Sequence, residues 1–258
     1  MEIRSQQSLP GSGEAPRVSR STNARYWLRY RLNGYRPYLR LIEWKHGSKP
    51  DRFIQPDTEV VIEGFGRSAS SYAVACLELS QDRPVRSAHH THASALVVKA
   101  ARLHLPTIVI VKKPDDVAVS HMVRHPGLKP QTILRAWIRF HRGVARVSRD
   151  VVVVTVEQLD RNPGDVIRRL NDRFGTTYVP PPRTDEFDKR VQDEMWQRHL
   201  KQGRPDLHFG RPTPERERAK EAMRHRLADP RLAALRAEAS RLYTSLTGAP
   251  VAGDQPAG

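Results

Sequence analysis

The sequence is poor in cysteine, in long apolar runs and in acidic residues. Its 258 residues contain one cysteine, Cys76, which excludes a disulfide framework and disfavours a cysteine-based zinc site. No apolar run approaches the length needed to cross a bilayer. The first twenty residues have no apolar core of the kind that a signal peptide needs. We therefore expect a cytoplasmic protein.

The shortage of acidic residues leaves a large positive charge. Lysine and arginine number 44 against 28 acidic residues, for a formal net charge of +16. Such a field attracts nucleotides, nucleic acid, anionic lipid or sulfated ligands. Arginine is spread along the whole chain, however, and net charge informs on association rather than on fold or chemistry. The charge alone therefore selects no function.

Composition divides the chain into tails, an arm and one main domain. Residues 1–22 and 248–258 are predicted to be disordered tails because they are rich in small and polar residues. Residues 23–50, called the arm below, interleave aromatics with arginine, and Gly34 and Pro37 are expected to interrupt any single helix. Two interpretations of the arm remain: a membrane-surface helix, or a helical arm that packs its aromatics on the main domain, which we favour.

The main domain, residues 51–247, alternates apolar strand-like runs with helical segments. Strands are predicted at 58–64, 85–88, 106–111 and 150–156, and the strongest of them are continuous β-branched runs. Continuous apolar strands separated by helices predict a parallel sheet covered on both faces, a three-layer α/β/α architecture. Residues 180–212, which are rich in proline and charge and contain Met195 and Trp196, are predicted to form a long loop or lid. Two helices at 214–227 and 230–246 are expected to close the domain.

A small-residue loop follows the first strong strand. It reads GFGRSASS and leads directly into a helix, a turn that aims backbone N–H groups at one point and suits a phosphate-like anion. A P-loop NTPase would need Gly-Lys-Ser/Thr at positions 69–71, where this chain has Ala-Ser-Ser. A tight turn without a ligand is the alternative. The candidate anion-binding residues are Gly66, Arg67, Ser68, Ala69, Ser70 and Ser71.

A second polar segment follows the strand at 106–111. A lysine at the strand end, Lys112, and a serine in the next helix, Ser120, are placed to reach a second anionic group. Neither segment is specific alone.

Together the two segments resemble the donor-binding motifs of the sulfotransferases that use 3'-phosphoadenosine-5'-phosphosulfate (PAPS). The first reads Gly66-Arg67-Ser68-Ala69-Ser70-Ser71, and the second runs from Lys112 through Pro114 and Asp116 to Ser120. A third similar feature is a strand ending in Val156-Glu157-Gln158-Leu159, followed by Asn162-Pro163. The opening Ile62-Glu63-Gly64 is similar to a bacterial type. The resemblance spans roughly residues 58–178 and implies a P-loop NTPase-like sulfotransferase fold.

The resemblance also implies roles for individual residues. Arg67 would bridge donor and transition state, the loop serines would cradle the 5'-phosphosulfate, and Lys112 with Ser120 would hold the 3'-phosphate. His92 would be the catalytic base, and Arg211, or Lys201, would lie on a basic loop that returns over the donor. Exposed charges at a helix cap are the favoured alternative for Arg211 and Lys201. Three positions depart from the family pattern: Gly66 replaces Pro, Ala69 replaces Gly, and Lys112 replaces Arg.

Three histidines at 89, 90 and 92 form a polar turn after the second strand. The ordinary pKa of histidine suits proton transfer near neutral pH, and His92 is favoured as general base over His90 because Thr91-His92 lies where the resembled family often has Thr-His. The alternative is that one or two of these histidines cap the following helix or line the pocket. Glu63 is a further candidate, either as base or as a partner of Arg67. A metal site is disfavoured for lack of a carboxylate nearby, and no metal is expected, since the protein supplies the cations.

We therefore expect an enzyme that moves a sulfuryl group from PAPS to a hydroxyl or amine of a small-molecule, carbohydrate or lipid acceptor. One alternative is a P-loop nucleotide kinase or NTPase. Another is a non-catalytic nucleotide- or polyanion-binding protein with a degenerate sulfotransferase fold. No specific nucleic-acid partner is expected. Peripheral contact of the arm with the inner membrane surface remains open, as does the oligomeric state.

Overall fold

Four parallel strands form the centre of the computed structural model, which describes residues 20–47, 49–201, 203 and 213–248. The strands are β1 (Val60–Gly64), β2 (Ser87–His89), β3 (Thr107–Val111) and β4 (Val152–Thr155). Their order across the sheet is β2-β1-β3-β4, and every neighbouring pair is parallel. Both central strands are buried along their whole length, as continuous apolar runs predict.

Helices connect the strands and cover both faces of the sheet. They are α1 (Arg20–Leu32), α2 (Arg36–Lys45), α3 (Ser70–Ser80), α4 (Ser94–Arg102), α5 (Pro114–Arg124), α6 (Pro130–Ala145), α7 (Val156–Arg161), α8 (Pro163–Phe174), α9 (Asp185–Lys201), α10 (Pro214–Arg224) and α11 (Ala233–Thr247). Short 3-10 turns lie at Pro50–Arg52, His225–Leu227 and Pro230–Leu232.

Side chains of β3 alternate between two apolar cores. Val109 and Val111 face a cluster that includes Trp137 of α6 and Tyr243 of α11. Ile108 and Ile110 face the other cluster, formed with α3 and α8. Because successive side chains of a strand point to opposite faces, this alternation produces the three layers. The predicted α/β class with a central parallel sheet is confirmed.

The fourth strand is shorter than its apolar run suggests. Thr155 accepts a hydrogen bond from Gln158 N (3.1 Å), and the Gln158 side chain accepts one from Thr155 N (2.9 Å). This reciprocal capping box starts α7 at Val156. The prediction that Val156–Leu159 finishes a strand is therefore wrong. The next helix, α8, begins as expected, because Asn162 accepts from Gly164 N at 3.0 Å.

The segment 180–212 contains a helix rather than one long loop. Residues 185–201 form α9, whose Phe187 and Val191 pack against Ala75 and Cys76 of α3. The prediction of a long loop is wrong here, because apolar residues four apart give α9 a face to bury. Cys76 is buried at this contact, and burial raises the pKa of its thiol to about 12.

The arm folds as the two helices α1 and α2, interrupted at residues 33–35 as Gly34 and Pro37 predict. Tyr30 packs on Phe65, with ring centroids 4.6 Å apart, and Leu39 joins a core cluster of the main domain. The favoured interpretation, an arm packed on the domain, is confirmed for these side chains.

The two predicted tails fall almost entirely outside the described residues. Residues 20–22 begin α1 and Gly248 ends α11; the remainder of 1–22 and 248–258 is not described. Within the described part of the chain, no helix has the length and apolarity to cross a membrane.

Candidate functional site

The polar segments after β1, β2 and β3 meet at the carboxyl edge of the sheet. Parallel strands bring their carboxyl ends to one edge, where ligands of open α/β sheets bind. The loop 65–69 follows β1, the histidine residues lie at the end of β2 and directly after it, and two residues separate β3 from α5. Two groups of residues form there, which we call the cationic cluster (Arg67, Lys112, Ser120 and Arg216) and the histidine turn (89–92).

The loop after β1 has an unusual backbone. Arg67 and Ala69 adopt left-handed conformations, with φ of 71° and 59°, which are rare for residues other than glycine and cost about 1 kcal/mol each. Ala69 caps α3 without a side-chain hydrogen bond. The hydroxyl of Ser68 is fully buried and has no hydrogen-bond partner among the described residues. This loop therefore places a buried donor beside a helix N-terminus, an arrangement suited to an anion.

Gly66 lies in close contact with the residues behind the loop. A Cβ at Gly66 would lie 3.1 Å from Cε1 of His121 and 3.3 Å from the Tyr30 hydroxyl. His121 Nε2 donates to the carbonyl oxygen of Gly66 at 3.0 Å. Burial lowers the pKa of His121 to about 3, so the ring is neutral and the single N–H is used on this carbonyl. A side chain at residue 66 would therefore require His121 or Tyr30 to shift by a few tenths of an ångström.

The cationic cluster joins the two donor motifs. Arg67 Nε donates to Ser120 Oγ at 3.1 Å, across 53 positions of sequence. Arg216 Nη2 donates to the same oxygen at 3.3 Å, and Ser120 is buried. Two guanidinium groups therefore meet on one hydroxyl, so a bound anion would relieve their mutual repulsion.

Lys112 is close enough to the other cations of the cluster to be affected by their charge, whereas its neighbour Lys113 pairs with a residue outside the cluster. Burial lowers the pKa of Lys112; Asp116 opposes this change, and the nearby cations, Arg67 and Arg216 among them, reinforce it. Lys113 forms an ion pair with Glu157 at 3.5 Å. The role of Lys112 in binding an anion stays a prediction.

Arg216 was missed by sequence reasoning. It is buried and is the third residue of α10, and its backbone N–H donates at 3.2 Å to the hydroxyl of the N-cap residue Thr213. Burial lowers the pKa of its guanidinium. No local pattern distinguishes it from the other arginines of an arginine-rich segment. Of the two residues that were predicted for this role, Arg211 lies outside the described residues and Lys201 is exposed at the end of α9.

The histidine turn is held by Glu63, the fourth residue of β1. The Glu63 carboxylate is fully buried and accepts from Thr91 N (2.7 Å), His92 N (3.0 Å) and Gly64 N (3.3 Å). Burial raises its pKa to about 7, and these three bonds oppose the rise. Both carboxylate oxygens are used by the backbone, so Glu63 holds the turn instead of facing Arg67 or a substrate.

His92 is oriented by the end of β1. Its Nδ1 donates to the carbonyl oxygen of Gly64 at 2.8 Å, and burial lowers its pKa to about 4. The ring is therefore neutral at pH 7, with its lone pair on Nε2, as a general base requires. Its backbone is left-handed, with φ of 54°, and its side chain is 19% exposed.

The other two histidines are paired with serines. His90 Nε2 lies 2.8 Å from the hydroxyl of Ser71 in the first turn of α3, and His89 Nδ1 lies 3.1 Å from that of Ser87. His90 thus links the turn to the loop after β1. Among the residues that the structure describes, no group of three or more potential metal ligands lies together.

The carbonyl groups of the turn face the arm and the 3-10 turn before β1. Arg52 Nη2 donates to His90 O at 3.0 Å. The arm supplies longer contacts, from Arg29 of α1 to Thr91 O and from Asn33, just after α1, to His92 O, each 3.5 Å. Glu63 therefore binds the N–H groups of the turn, and Arg52 together with the arm binds its carbonyl groups.

Comparisons with known proteins give structural similarities but no match at the level of sequence. No protein-family profile and no curated protein sequence matches the chain. Among solved structures, the chain is similar to the crystal structure of mouse sulfotransferase SULT7A1 complexed with PAP, with 13% identity and a TM-score of 0.39, over 75% of this chain and 92% of that one. A similarity at this level carries no argument about activity, and the bacterial type stays a prediction.

Proposed function

We propose that the chain is a PAPS-dependent sulfotransferase that transfers a sulfuryl group to a hydroxyl or amine acceptor. The observation that carries the proposal is the hydrogen bond between Arg67 and Ser120. It joins the two motifs that the sequence resemblance pairs, and Lys112 and Arg216 complete the cationic cluster around it.

The residues present fit a donor with two anionic ends. The buried Ser68 hydroxyl and the first turn of α3, with Ser70 and Ser71, would hold the phosphosulfate end. Lys112, Ser120 and Arg216 would hold the 3'-phosphate end, because guanidinium groups bind such oxygens through charge-assisted hydrogen bonds. When bound, PAPS supplies a sulfuryl group attached to a phosphate leaving group.

The protein contributes a base, a positive field and fixed positions. His92 Nε2 accepts the proton of the acceptor, since Nδ1 is already committed to Gly64 O. Glu63 keeps His92 in place through two backbone bonds. Arg67 and the N–H groups at the start of α3 stabilise negative charge that develops on oxygens during transfer. Catalysis would therefore depend on the positioning of the reacting groups and on electrostatic stabilisation, as in phosphoryl transfer.

The nucleotide kinase or NTPase alternative lacks its required lysine. Ser70 and Ser71 occupy the first turn of α3, where a P-loop NTPase has lysine and serine or threonine. The cation of this loop is Arg67, which precedes the turn and contacts Ser120. The non-catalytic alternative uses the same residues and differs only in lacking transfer.

Calorimetric titration with 3',5'-adenosine bisphosphate, beside ATP with magnesium, tests the proposal. We expect micromolar binding of the bisphosphate that is lost in Arg67→Ala and Ser120→Ala. Lys112→Ala and Lys113→Ala form a matched pair, and only the first should weaken binding. Absence of bisphosphate binding would refute the proposal, and tight ATP binding in its place would favour the NTPase.

Release of bisphosphate from PAPS then separates catalysis from binding. A catalyst should release it faster in the presence of 4-nitrophenol or another hydroxyl acceptor, and His92→Gln should abolish that increase. Bisphosphate binding without release under any of a panel of acceptors would favour the non-catalytic alternative.

A further inference from the structure

The arm has an inner side that packs on the domain and an outer side that exposes large apolar side chains. Its inner side includes Tyr30 and Leu39, which are buried. The exposed fractions on the outer side are 43% for Trp27, 50% for Leu28, 59% for Tyr35, 55% for Leu41 and 83% for Trp44. Five large apolar residues exposed within one short stretch indicate an interaction surface.

Positive charge surrounds these apolar residues. The arm contains seven lysine or arginine residues and one acidic residue, Glu43. Glu43 pairs with Lys99 of α4, outside the arm, at 3.6 Å, so it neutralises no cation of the arm itself. Arg31 lies over the ring of Trp27 at 4.9 Å from its centroid. The outer side therefore combines tryptophan and leucine with cations.

We propose that the outer side of the arm docks on an anionic lipid surface. Tryptophan and leucine insert at the boundary between headgroups and acyl chains, and lysine and arginine are attracted to anionic headgroups. Leu41 and Trp44 lie three residues apart in α2 and so share one face of the helix. The cations Arg36 and Arg40 are exposed on the same short helix.

Two other occupants fit the surface less well. A single-stranded nucleic acid stacks its bases on aromatic rings, and the exposed Leu28 and Leu41 offer no such ring. A second copy of the chain in a two-fold dimer would place the same patch against itself. The seven cations and one acidic residue of one arm would then lie against the same residues of the second arm, which is electrostatically unfavourable.

Part of the docking surface lies on α1, the helix whose Arg29 contacts the histidine turn. Arg29 of α1 and Asn33, which follows α1, contact the carbonyl groups of Thr91 and His92, while Trp27 and Leu28 of α1 are exposed. If the proposed function holds, the acceptor is one that resides at the lipid surface; this consequence alone rests on the proposed function. The docking itself does not depend on donor binding.

Co-sedimentation of the full chain with vesicles tests the docking. The vesicles are phosphatidylcholine alone and phosphatidylcholine mixed with phosphatidylglycerol, each at low and high salt. We expect binding to the mixed vesicles that salt weakens, a loss of about tenfold in Trp44→Ser, and a further loss in Arg36→Glu with Arg40→Glu. Circular dichroism checks that each variant is folded.

A matched pair of leucines sharpens the test. Leu41 and Leu103 are 55% and 54% exposed, but Leu103 lies at the end of α4, before β3 and thus toward the opposite edge of the sheet. Leu41→Ser should weaken vesicle binding severalfold, whereas Leu103→Ser should leave it unchanged.

Every other result overturns the proposal. Absence of vesicle binding, or equal binding by Leu41→Ser and Leu103→Ser, excludes lipid docking by this side of the arm. Binding to duplex DNA that needs the arginines but not Trp44 assigns the surface to polyanions. A dimer seen by light scattering and broken by Leu41→Ser assigns it to a second copy. Bisphosphate titration runs in parallel, so loss of the proposed function and loss of the docking are read separately.

Discussion

The cationic cluster and the histidine turn adjoin the end of β1, and they are stabilised in different ways. In the cationic cluster, Arg67 and Arg216 converge on the single oxygen of Ser120. In the histidine turn, a buried carboxylate accepts three backbone N–H bonds and the rings are neutral. The guanidinium groups of the cluster therefore repel each other, and an anionic ligand would reduce this repulsion. The backbone N–H groups of the turn, in contrast, already have a hydrogen-bond acceptor without any ligand.

This contrast separates binding from proton transfer. Substitutions in the cluster should change affinity for the bisphosphate and leave the free protein as stable as before or more so. Substitutions in the turn should change the rate of transfer or the stability and leave affinity unaltered. The following predictions test the separation, beginning with the largest expected effect.

His92→Gln should lower the rate of transfer without weakening bisphosphate binding. Loss of a positioned general base costs roughly 10²–10⁴ in rate, and Gln keeps an N–H near Gly64 O. The measurement is bisphosphate release from PAPS with 4-nitrophenol, alongside calorimetric titration. His90→Gln, which alters the contacts of the His90 ring with Ser71, His89 and His92 but leaves the bond from His92 to Gly64 O, serves as control and should cost far less. Equal losses in both variants would remove His92 from its assigned role.

Arg216→Met should weaken bisphosphate binding, which His92→Gln should leave unchanged. We expect bisphosphate affinity to fall about 100-fold, because a buried charge-assisted contact is removed. Without ligand the free energy of unfolding should stay equal or rise by about 1 kcal/mol, since a buried cation whose pKa is lowered by burial is replaced by an apolar chain. Arg218→Met, on the exposed side of α10, controls for charge. A variant with lower stability and normal affinity would contradict the contrast.

Acid should destabilise the protein through the neutral histidines that hold the end of β1. The folded pKa of His121, about 3, lies below its unfolded value of 6.5. Its contribution is therefore fully present above pH 6.5 and is lost as pH falls toward 3. At pH 5 the loss is about 2 kcal/mol.

Urea unfolding at pH 7 and pH 5 measures this loss. His121→Gln keeps a donor for Gly66 O but does not titrate, so it should lose about 2 kcal/mol less than the native chain between the two pH values. His225→Gln, at an exposed position, should behave like the native chain. An unchanged pH dependence in His121→Gln would mean that His121 is not a source of the acid sensitivity.

Ala69→Gly should give the smallest effect, a rise of up to about 1 kcal/mol in the free energy of unfolding. The φ of 59° at Ala69 strains alanine but not glycine. Ala237→Gly, at an exposed position inside helix α11, should lower stability by about the same amount. The opposite signs of the two changes, measured by urea unfolding, isolate the backbone strain; a fall in both would exclude it.

The layered fold could be predicted because its signals are local. The β-branched runs at β1, β3 and β4 and the caps around α8 are read directly from neighbouring residues. Arg216 could not be predicted, since its contact with Ser120 spans 96 positions and depends on how α10 packs on α5. The role of Glu63 was missed for a related reason: its partners are backbone groups of another strand end, which have no residue-type signature.

The burial of Cys76 in the contact between α3 and α9 makes the protein convenient for site-specific chemistry. The only thiol of the sequence is enclosed and its pKa is raised to about 12, and the reactive form of a thiol is the thiolate. A cysteine introduced at an exposed position will therefore be the one that maleimide reagents modify at neutral pH. A dye or spin label can thus be attached at a single chosen place without first removing the native cysteine.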